Sequence, residues 1–135
     1  MKESTLWRYL RDGLRPLCVD LQRHEDLAAV GVPDVSYGAR GVQGWIELKH
    51  VAKFTRNGVK IPWHSGQREW LITRGAHGGH CWLLIRIGRE NYLFTNNFLP
   101  PRGGFWRHDE CNLRCTLRWE TGEDMWSELL EVLTK

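Results

Sequence analysis

The chain of 135 residues fits a single domain, and its composition, 41% hydrophobic and 26% charged, excludes an intrinsically disordered protein. No apolar run approaches the roughly 20 residues that span a bilayer. The N-terminus lacks the apolar stretch of a signal peptide, so we expect a cytoplasmic protein that makes no membrane contact and keeps its four cysteines reduced. The net charge of +3 is too small to indicate a nucleic-acid partner by itself.

The chain opens with a predicted helix followed by a predicted strand. Leu6, Leu10 and Leu14 recur at helical spacing, and Ser4 can cap the helix that carries them. Residues 17–23 partly alternate between apolar and polar, which predicts a strand.

The rest of the chain predicts four more strands and two more helices. The strands are predicted at 34–37, 42–51, 80–87 and 91–94, and the helices at 65–75 and 123–133. Residues 52–64 contain Gly58, Pro62 and several basic side chains, and they predict an irregular connection. The resulting order, α-β-β-β-α-β-β-α, predicts a mixed α/β sheet with helices packed on it.

The strand at 42–51 carries the most informative pattern. Side chains alternate between the two faces of a strand, so Glu47 and Lys49 share one face while Ile46 and Leu48 point to the other. A carboxylate beside an ammonium on a covered face requires a chemical reason. If that face is exposed, the two form an ordinary surface ion pair.

Asp34 adds a second carboxylate to this pattern. It lies at the start of the preceding strand, and a hairpin between the two strands brings it towards Glu47. Two neighbouring carboxylates repel unless a cation lies between them. Mg²⁺ takes oxygen ligands of this kind, Mn²⁺ is expected to substitute for it, and Lys49 can orient a water and offset charge on a phosphate. These groups suit the hydrolysis of phosphodiester bonds.

The spacing of these residues resembles a known nuclease signature. Pro33-Asp34, twelve intervening residues and then Glu47-Leu48-Lys49 resemble the motif of the PD-(D/E)XK nuclease superfamily. The short form is similar to small phage-encoded nucleases of the Holliday junction resolvase and VRR-NUC groups. The resemblance implies a restriction-endonuclease-like αβββαβ core with a mixed sheet flanked by helices, plus a C-terminal strand and helix. The core covers about residues 1–95 of a single domain, and residues 96–135 are a C-terminal extension.

The resemblance also implies roles for individual residues. Asp34, Glu47 and the backbone carbonyl of Leu48 would hold the metal ion, and Lys49 would assist catalysis. Gln67, on the helix after the Glu-x-Lys strand, matches a glutamine that lies beside the site in these groups. A polar residue at a helix N-terminus is the equal alternative for Gln67.

A further acidic residue often comes from an earlier element in the same groups. Glu25 is the first candidate, because it ends the strand that precedes the Asp34 loop. Glu3 on the first helix is the second candidate, and the sequence leaves the choice open.

The basic side chains are concentrated in one part of the chain. Six lie between positions 49 and 74 against one acidic residue, whereas the region from 118 to 135 is mainly acidic. We expect the following residues to hold the DNA backbone: Arg8, Arg11, Lys53, Arg56, Lys60, His64 and Arg68. An ordinary solvated surface explains the charge pattern equally well.

Together these features predict a Mg²⁺-dependent DNA endonuclease selective for branched, flapped or junction DNA and active in phage DNA metabolism. Phosphate contacts carry no direct sequence information, which favours structure-selective cleavage. A resolvase that cuts two strands in concert would be a homodimer, whereas a nickase could act as a monomer. The alternatives are a non-catalytic DNA-binding or protein-binding module on the same fold and an enzyme that acts on RNA.

Two other patterns carry less weight. His108, Cys111 and Cys115 suggest zinc, but their spacing matches no common zinc module and a fourth ligand is missing nearby. Trp63 and Trp106 have basic neighbours and could stack on bases, although partial burial is the favoured interpretation.

Overall fold

A six-stranded sheet with its strands in chain order forms the frame of the molecule. The computed structural model describes residues 3–24, 31–104 and 106–135. Within these ranges the helices are α1 (Glu3–Leu14), α2 (Gln67–Ala76), α3 (His108–Arg114) and α4 (Trp126–Leu133). The strands are β1 (Asp20–Arg23), β2 (Val35–Ala39), β3 (Val42–Val51), β4 (His80–Ile87), β5 (Glu90–Thr95) and β6 (Leu117–Glu120). The predicted mixed α/β class is confirmed.

The sheet is antiparallel except at its centre. β1, β2 and β3 pair as antiparallel neighbours, and so do β4, β5 and β6. β3 and β4 run parallel, because the chain returns through α2 between them. A parallel pair needs such a crossover connection, and α2, which packs on β4, provides it.

Two apolar cores lie on opposite faces of the sheet. On the first face, Leu6, Leu10 and Leu14 of α1 pack with leucines of α4 against Ile46 and Leu48 of β3. In the second core, Leu71 of α2 and Cys111 of α3 pack against Leu83 and Ile85 of β4 and Phe94 of β5. β3 lies between both cores, which explains why its central residues are buried on either side.

Several element boundaries differ from the predicted ones. β3 has the predicted bounds. The first strand begins at Asp20 and not at residue 17, because Arg15–Leu17 forms a 3-10 helix that ends at Cys18 in a left-handed conformation. α2 continues through Gly75, and the last helix begins at Trp126. No helix in the described part of the chain is long and apolar enough to cross a bilayer.

The structure adds two elements in the last forty residues that the sequence did not predict. α3 buries only Cys111, so it has no apolar periodicity, and its Leu113 is 81% exposed. β6 has four residues, of which Trp119 alone is buried. β6 extends the sheet and α4 completes the first core, so these residues pack as part of the same structure.

A close contact between β2 and β3 fixes their packing. Tyr37 is opposite Gly44, and a Cβ atom at Gly44 would lie 2.4 Å from the Tyr37 ring. The Tyr37 hydroxyl donates to the Leu133 carbonyl at 2.6 Å and accepts from the Trp82 indole N–H at 3.0 Å. The ring is therefore held in place and cannot move away from an added methyl group.

We predict that Gly44→Ala destabilises the protein by about 1–3 kcal/mol through overpacking. Gly38→Ala, one pair further along the same hairpin, is the matched control, because a Cβ there meets nothing within 4 Å. Its free energy of unfolding should stay within about 1 kcal/mol of wild type. Urea unfolding measures both variants, and equal losses in the two would contradict the steric argument.

Candidate active site

Asp34 and Glu47 meet at the point where the pairing of β2 and β3 begins. Val35 is opposite Ile46, so the next pair outward is Asp34 and Glu47, on one face of the sheet. The Leu48 N–H donates to Asp34 Oδ2 at 2.9 Å, and the Asp34 N–H donates to Glu47 Oε1 at 3.2 Å. The predicted hairpin, and with it the approach of Asp34 to Glu47, is confirmed.

Glu47 and Lys49 form a buried ion pair. Their exposed fractions are 0% and 1%, and Lys49 Nζ lies 3.3 Å from Glu47 Oε2. This burial excludes the alternative of an ordinary surface pair. Within the described residues Glu47 Oε2 has no hydrogen-bond partner, and an unsatisfied buried carboxylate oxygen is costly.

The surroundings favour the neutral form of Glu47. Burial raises the pKa of Glu47 to about 8, and the negative charge of Asp34 contributes to the increase. Lys49 opposes it by stabilising the charged form. A bound proton relieves the repulsion between the two carboxylates, and a bound cation would do the same.

The donor atoms here fit a hard divalent cation. Mg²⁺ is commonly bound by one or two carboxylates together with waters and substrate phosphates. Asp34 and Glu47 supply the carboxylates, and Glu47 Oε2 is an acceptor without a hydrogen bond among the described residues. In a strand the N–H and C=O of one residue point to the same side, so the Leu48 carbonyl faces the side on which its N–H meets Asp34. These are the atoms that would hold the ion.

The loop before Asp34 packs against the N-terminus of α2, where Gln67 lies. Gly31 has a φ of +82°, and a Cβ there would come within 2.6 Å of the Gly66 carbonyl oxygen. The Gln67 side chain accepts a hydrogen bond from the His64 N–H at 2.9 Å. Gln67 thus has the contact of a polar residue at a helix N-terminus, and its part in the site stays a prediction.

The predicted additional acidic residue is not decided by the structure. Glu25 and the side chain of Glu3 both lie outside the described residues. Both roles stay predictions.

The predicted DNA-binding residues fall into two groups. Lys53, Arg56, Lys60 and His64 are exposed in the segment between β3 and α2, on the route by which the chain leaves the site. In α2, the Arg68 Nε donates to the Pro100 carbonyl at 2.9 Å, which anchors the loop at 100.

Arg8 and Arg11 form the second group, on α1. This helix packs on the face of the sheet opposite Glu47 and Lys49. Arg11 pairs with Asp12 at 3.0 Å, and Arg8 is exposed. The structure therefore separates the two arginines from the first group, and their contact with DNA stays a prediction.

His24 lies next to Asp34, a position that the sequence did not predict. Arg23 is opposite Val35, so His24 is the neighbour of Asp34 in the next pair, and its N–H donates to the Asp34 carbonyl at 2.7 Å. Its Nε2 lies 2.8 Å from Ser36 Oγ. The register of β1 on β2 places His24 here, and no local pattern in the sequence contains that register.

The two weaker patterns have structural explanations. His108 Nε2 lies 3.3 Å from Glu90, and no three His, Cys, Asp or Glu side chains in the described ranges form a group that could hold a metal ion. The partial burial expected for Trp63 is confirmed, and its indole N–H donates to the Pro100 carbonyl. Trp106 is buried more fully than expected, at 8% exposure.

The comparisons with known proteins identify the fold. No family model and no curated protein matches the sequence. Among solved structures, the chain is similar to Hjc, a Holliday junction resolvase from the archaeal hyperthermophile Archaeoglobus fulgidus. The TM-score is 0.61 and the identity 16%, and the match covers 83% of this chain and 93% of the other. The likeness shows a restriction-endonuclease-like fold.

The raised pKa of Glu47 predicts a pH-dependent stability of the metal-free protein. The folded pKa of about 8 lies above the ordinary value of 4.5, so the folded state binds this proton more tightly than the unfolded state. The contribution is fully present below pH 4.5 and is lost as the pH rises through 8. The loss is at most about 1.4 kcal/mol per pH unit.

Urea unfolding in EDTA between pH 5 and 8 measures this effect. Glu47→Gln should flatten the profile, whereas Glu128→Gln, at an exposed position of α4, should keep the wild-type profile. A Glu47→Gln profile that matches wild type would contradict the assignment of the titrating group.

Proposed function

We propose that the protein is a Mg²⁺-dependent endonuclease that hydrolyses DNA phosphodiester bonds. The observation that carries the proposal is the group of the buried Glu47 and Lys49 with the half-buried Asp34, in which Glu47 Oε2 faces the Lys49 ammonium but has no hydrogen bond among the described residues. Such a group destabilises a fold unless a ligand balances its charges. The restriction-endonuclease-like fold supports the proposal as a known frame for this kind of site.

Asp34, Glu47 and Lys49 have different roles in the proposed reaction. Asp34 is held by the Leu48 N–H, and Glu47 by the Asp34 N–H, so the two carboxylates are fixed before substrate binds. Lys49 places a positive charge at 3.3 Å from Glu47, where it can orient a water for attack on phosphorus and stabilise the charge that develops on the phosphate. A bound Mg²⁺ would supply Lewis-acid activation of the phosphate and of the water.

The exposed basic segment between β3 and α2 supports DNA as the substrate. Lys53, Arg56 and Lys60 follow directly on the strand that carries the site, so they can hold the phosphate backbone beside it. Such contacts position a strand without reading its sequence. This favours selection by DNA structure, such as a branch, flap or junction, over selection by sequence.

The proposal for the biological role rests on a sequence resemblance. The motif of Pro33-Asp34 and Glu47-Leu48-Lys49 resembles that of small phage-encoded resolvase-like and VRR-NUC nucleases. We include in the proposal a role in phage DNA metabolism in the host cytoplasm. The similarity in fold to a solved Holliday junction resolvase supports four-way junctions as the first substrate to test, and a homodimer as the form that cuts them.

Cleavage assays test the reaction directly. Labelled linear duplex, single-stranded, flapped and four-way DNA, with RNA counterparts, are incubated with Mg²⁺, Mn²⁺ or EDTA. We expect cleavage that requires the metal and falls by at least about 100-fold in Glu47→Gln and in Lys49→Met. Glu128→Gln, an exposed substitution on α4, should cleave as wild type does.

The outcomes separate the candidate functions. Binding of DNA without cleavage by a folded protein, across all metals and substrates, would establish the non-catalytic alternative. Cleavage that persists in Glu47→Gln and Lys49→Met would remove these residues from the mechanism.

Metal binding gives an independent prediction. Mg²⁺ or Mn²⁺ at 100 times its dissociation constant should raise the free energy of unfolding by about 2.7 kcal/mol, because it binds the folded state. Differential scanning fluorimetry should show the rise in Tm for wild type and Glu128→Gln and its loss in Glu47→Gln and Asp34→Asn. An equal rise in all four proteins would place the ion elsewhere.

A further inference from the structure

A polar depression lies on the same sheet face as Asp34 and Glu47, beside the indole of Trp45. It has a volume of about 240 Å³, below the roughly 300–1,000 Å³ of pockets for drug-sized ligands. Two rows of opposed residues form it. The first row is Gln22, Ser36 and Trp45, and the second is Asp20, Gly38 and Gln43.

The chemistry of the lining matches a nucleobase. Trp45 provides an aromatic wall, and indoles stack on bases of any sequence. Gln22 and Gln43 each offer an amide donor and acceptor, the pattern that a base edge presents, and Asp20 adds an acceptor. All three polar side chains are exposed, so they are free to turn towards a ligand. Gly38 leaves space between them, since a Cβ there would meet nothing within 4 Å.

The position of Trp45 is fixed by two other rings. The His24 ring lies at 5.3 Å from it and the Trp70 ring at 5.2 Å, and the Arg74 guanidinium covers the Trp70 ring at 4.8 Å. Trp45 remains partly exposed in this arrangement. A ring held in place loses little conformational entropy when a base packs on it.

The depression is next to the carboxylates along the strands. Ser36 and Trp45 are opposed, and Asp34 and Glu47 form the pair two residues further along. Two residues of a strand span about 6.6–6.8 Å. This is the order of the spacing between consecutive nucleotides of an extended strand, so a phosphate at the carboxylates would bring a neighbouring base to Trp45.

We propose that the depression binds the unpaired base of a nucleotide adjacent to the cleaved phosphate, packed on Trp45 and hydrogen-bonded by Gln22 and Gln43. The inference rests on the proposed nuclease function and narrows its substrate. A paired base is stacked in the duplex and cannot enter, whereas a base at a branch point, flap or gap can. The enzyme would thereby select DNA whose strand is open at the cleaved bond.

Abasic scanning tests the inference. In the DNA structure that the wild-type protein cleaves best, a single abasic nucleotide replaces each position around the cleaved bond in turn. We expect kcat/KM to fall about tenfold or more at one or two positions next to that bond and to stay unchanged elsewhere. The same oligonucleotides, in EDTA, give the matching loss of affinity.

Variants tie the effect to the depression. Three variants should cleave intact DNA more slowly and lose the discrimination against abasic DNA. They are Trp45→Ala and, at exposed positions, Gln22→Ala and Gln43→Ala. Trp45→Phe keeps an aromatic ring and should therefore retain part of the discrimination against abasic DNA. Ser127→Ala, exposed on α4, should discriminate as wild type does.

The outcomes distinguish this inference from the proposed function. Cleavage that is insensitive to an abasic nucleotide at every position overturns the inference and leaves the nuclease intact. If the protein binds DNA without cleaving it, the affinities for the abasic oligonucleotides decide instead: an affinity that is the same at every abasic position overturns the inference. If no DNA structure is bound or cleaved, both the proposed function and the inference are wrong.

Discussion

The structure depends on two carboxylates held together on a covered strand. Glu47 has no exposed surface, and Asp34 and Lys49 provide its neighbouring charges. The buried Glu47 carboxylate loses its hydration, and its charge repels that of the half-buried Asp34, so the charged form of Glu47 raises the free energy of the fold. The cores on both faces of β3 hold it in register against that cost, since a slip of one residue would transfer Glu47 to the opposite face.

The site forms where strand pairing stops. β2 begins at Val35, and the Asp34 side chain takes the Leu48 N–H that the backbone of a longer strand would have taken. Because the Asp34 carboxylate accepts this hydrogen bond, the Leu48 N–H of β3 has a partner and a carboxylate lies at the end of β2. The Leu48 carbonyl points to the same side as its N–H, because it belongs to the same residue of the strand. A strand two residues longer would place Pro33 opposite Leu48, where its backbone carbonyl could accept the Leu48 N–H in place of the Asp34 carboxylate.

The sequence could predict the parts of this site that depend on local periodicity. The alternation around Glu47 and Lys49 and the short turn before β3 define one face and one hairpin, and both are present. The position of His24 depends on the register of β1 on β2. The two strands are distant in sequence, so local periodicity does not predict this register. α3 buries a single residue and β6 has four, so neither leaves a periodic signal, although β6 completes the sheet edge.

The sheet face that carries the carboxylates has two different halves. Towards β4 and β5 it is covered by the second core, while over β1 and the first residues of β3 it presents the exposed Gln22 and Gln43. Glu47 lies at the boundary, so apolar packing on one side lowers the local dielectric while polar groups on the other can meet a substrate strand. Trp45 belongs to both halves: it packs on the core through Trp70 and lines the depression. The packing that buries Glu47 and Lys49 thus also fixes the indole beside the depression.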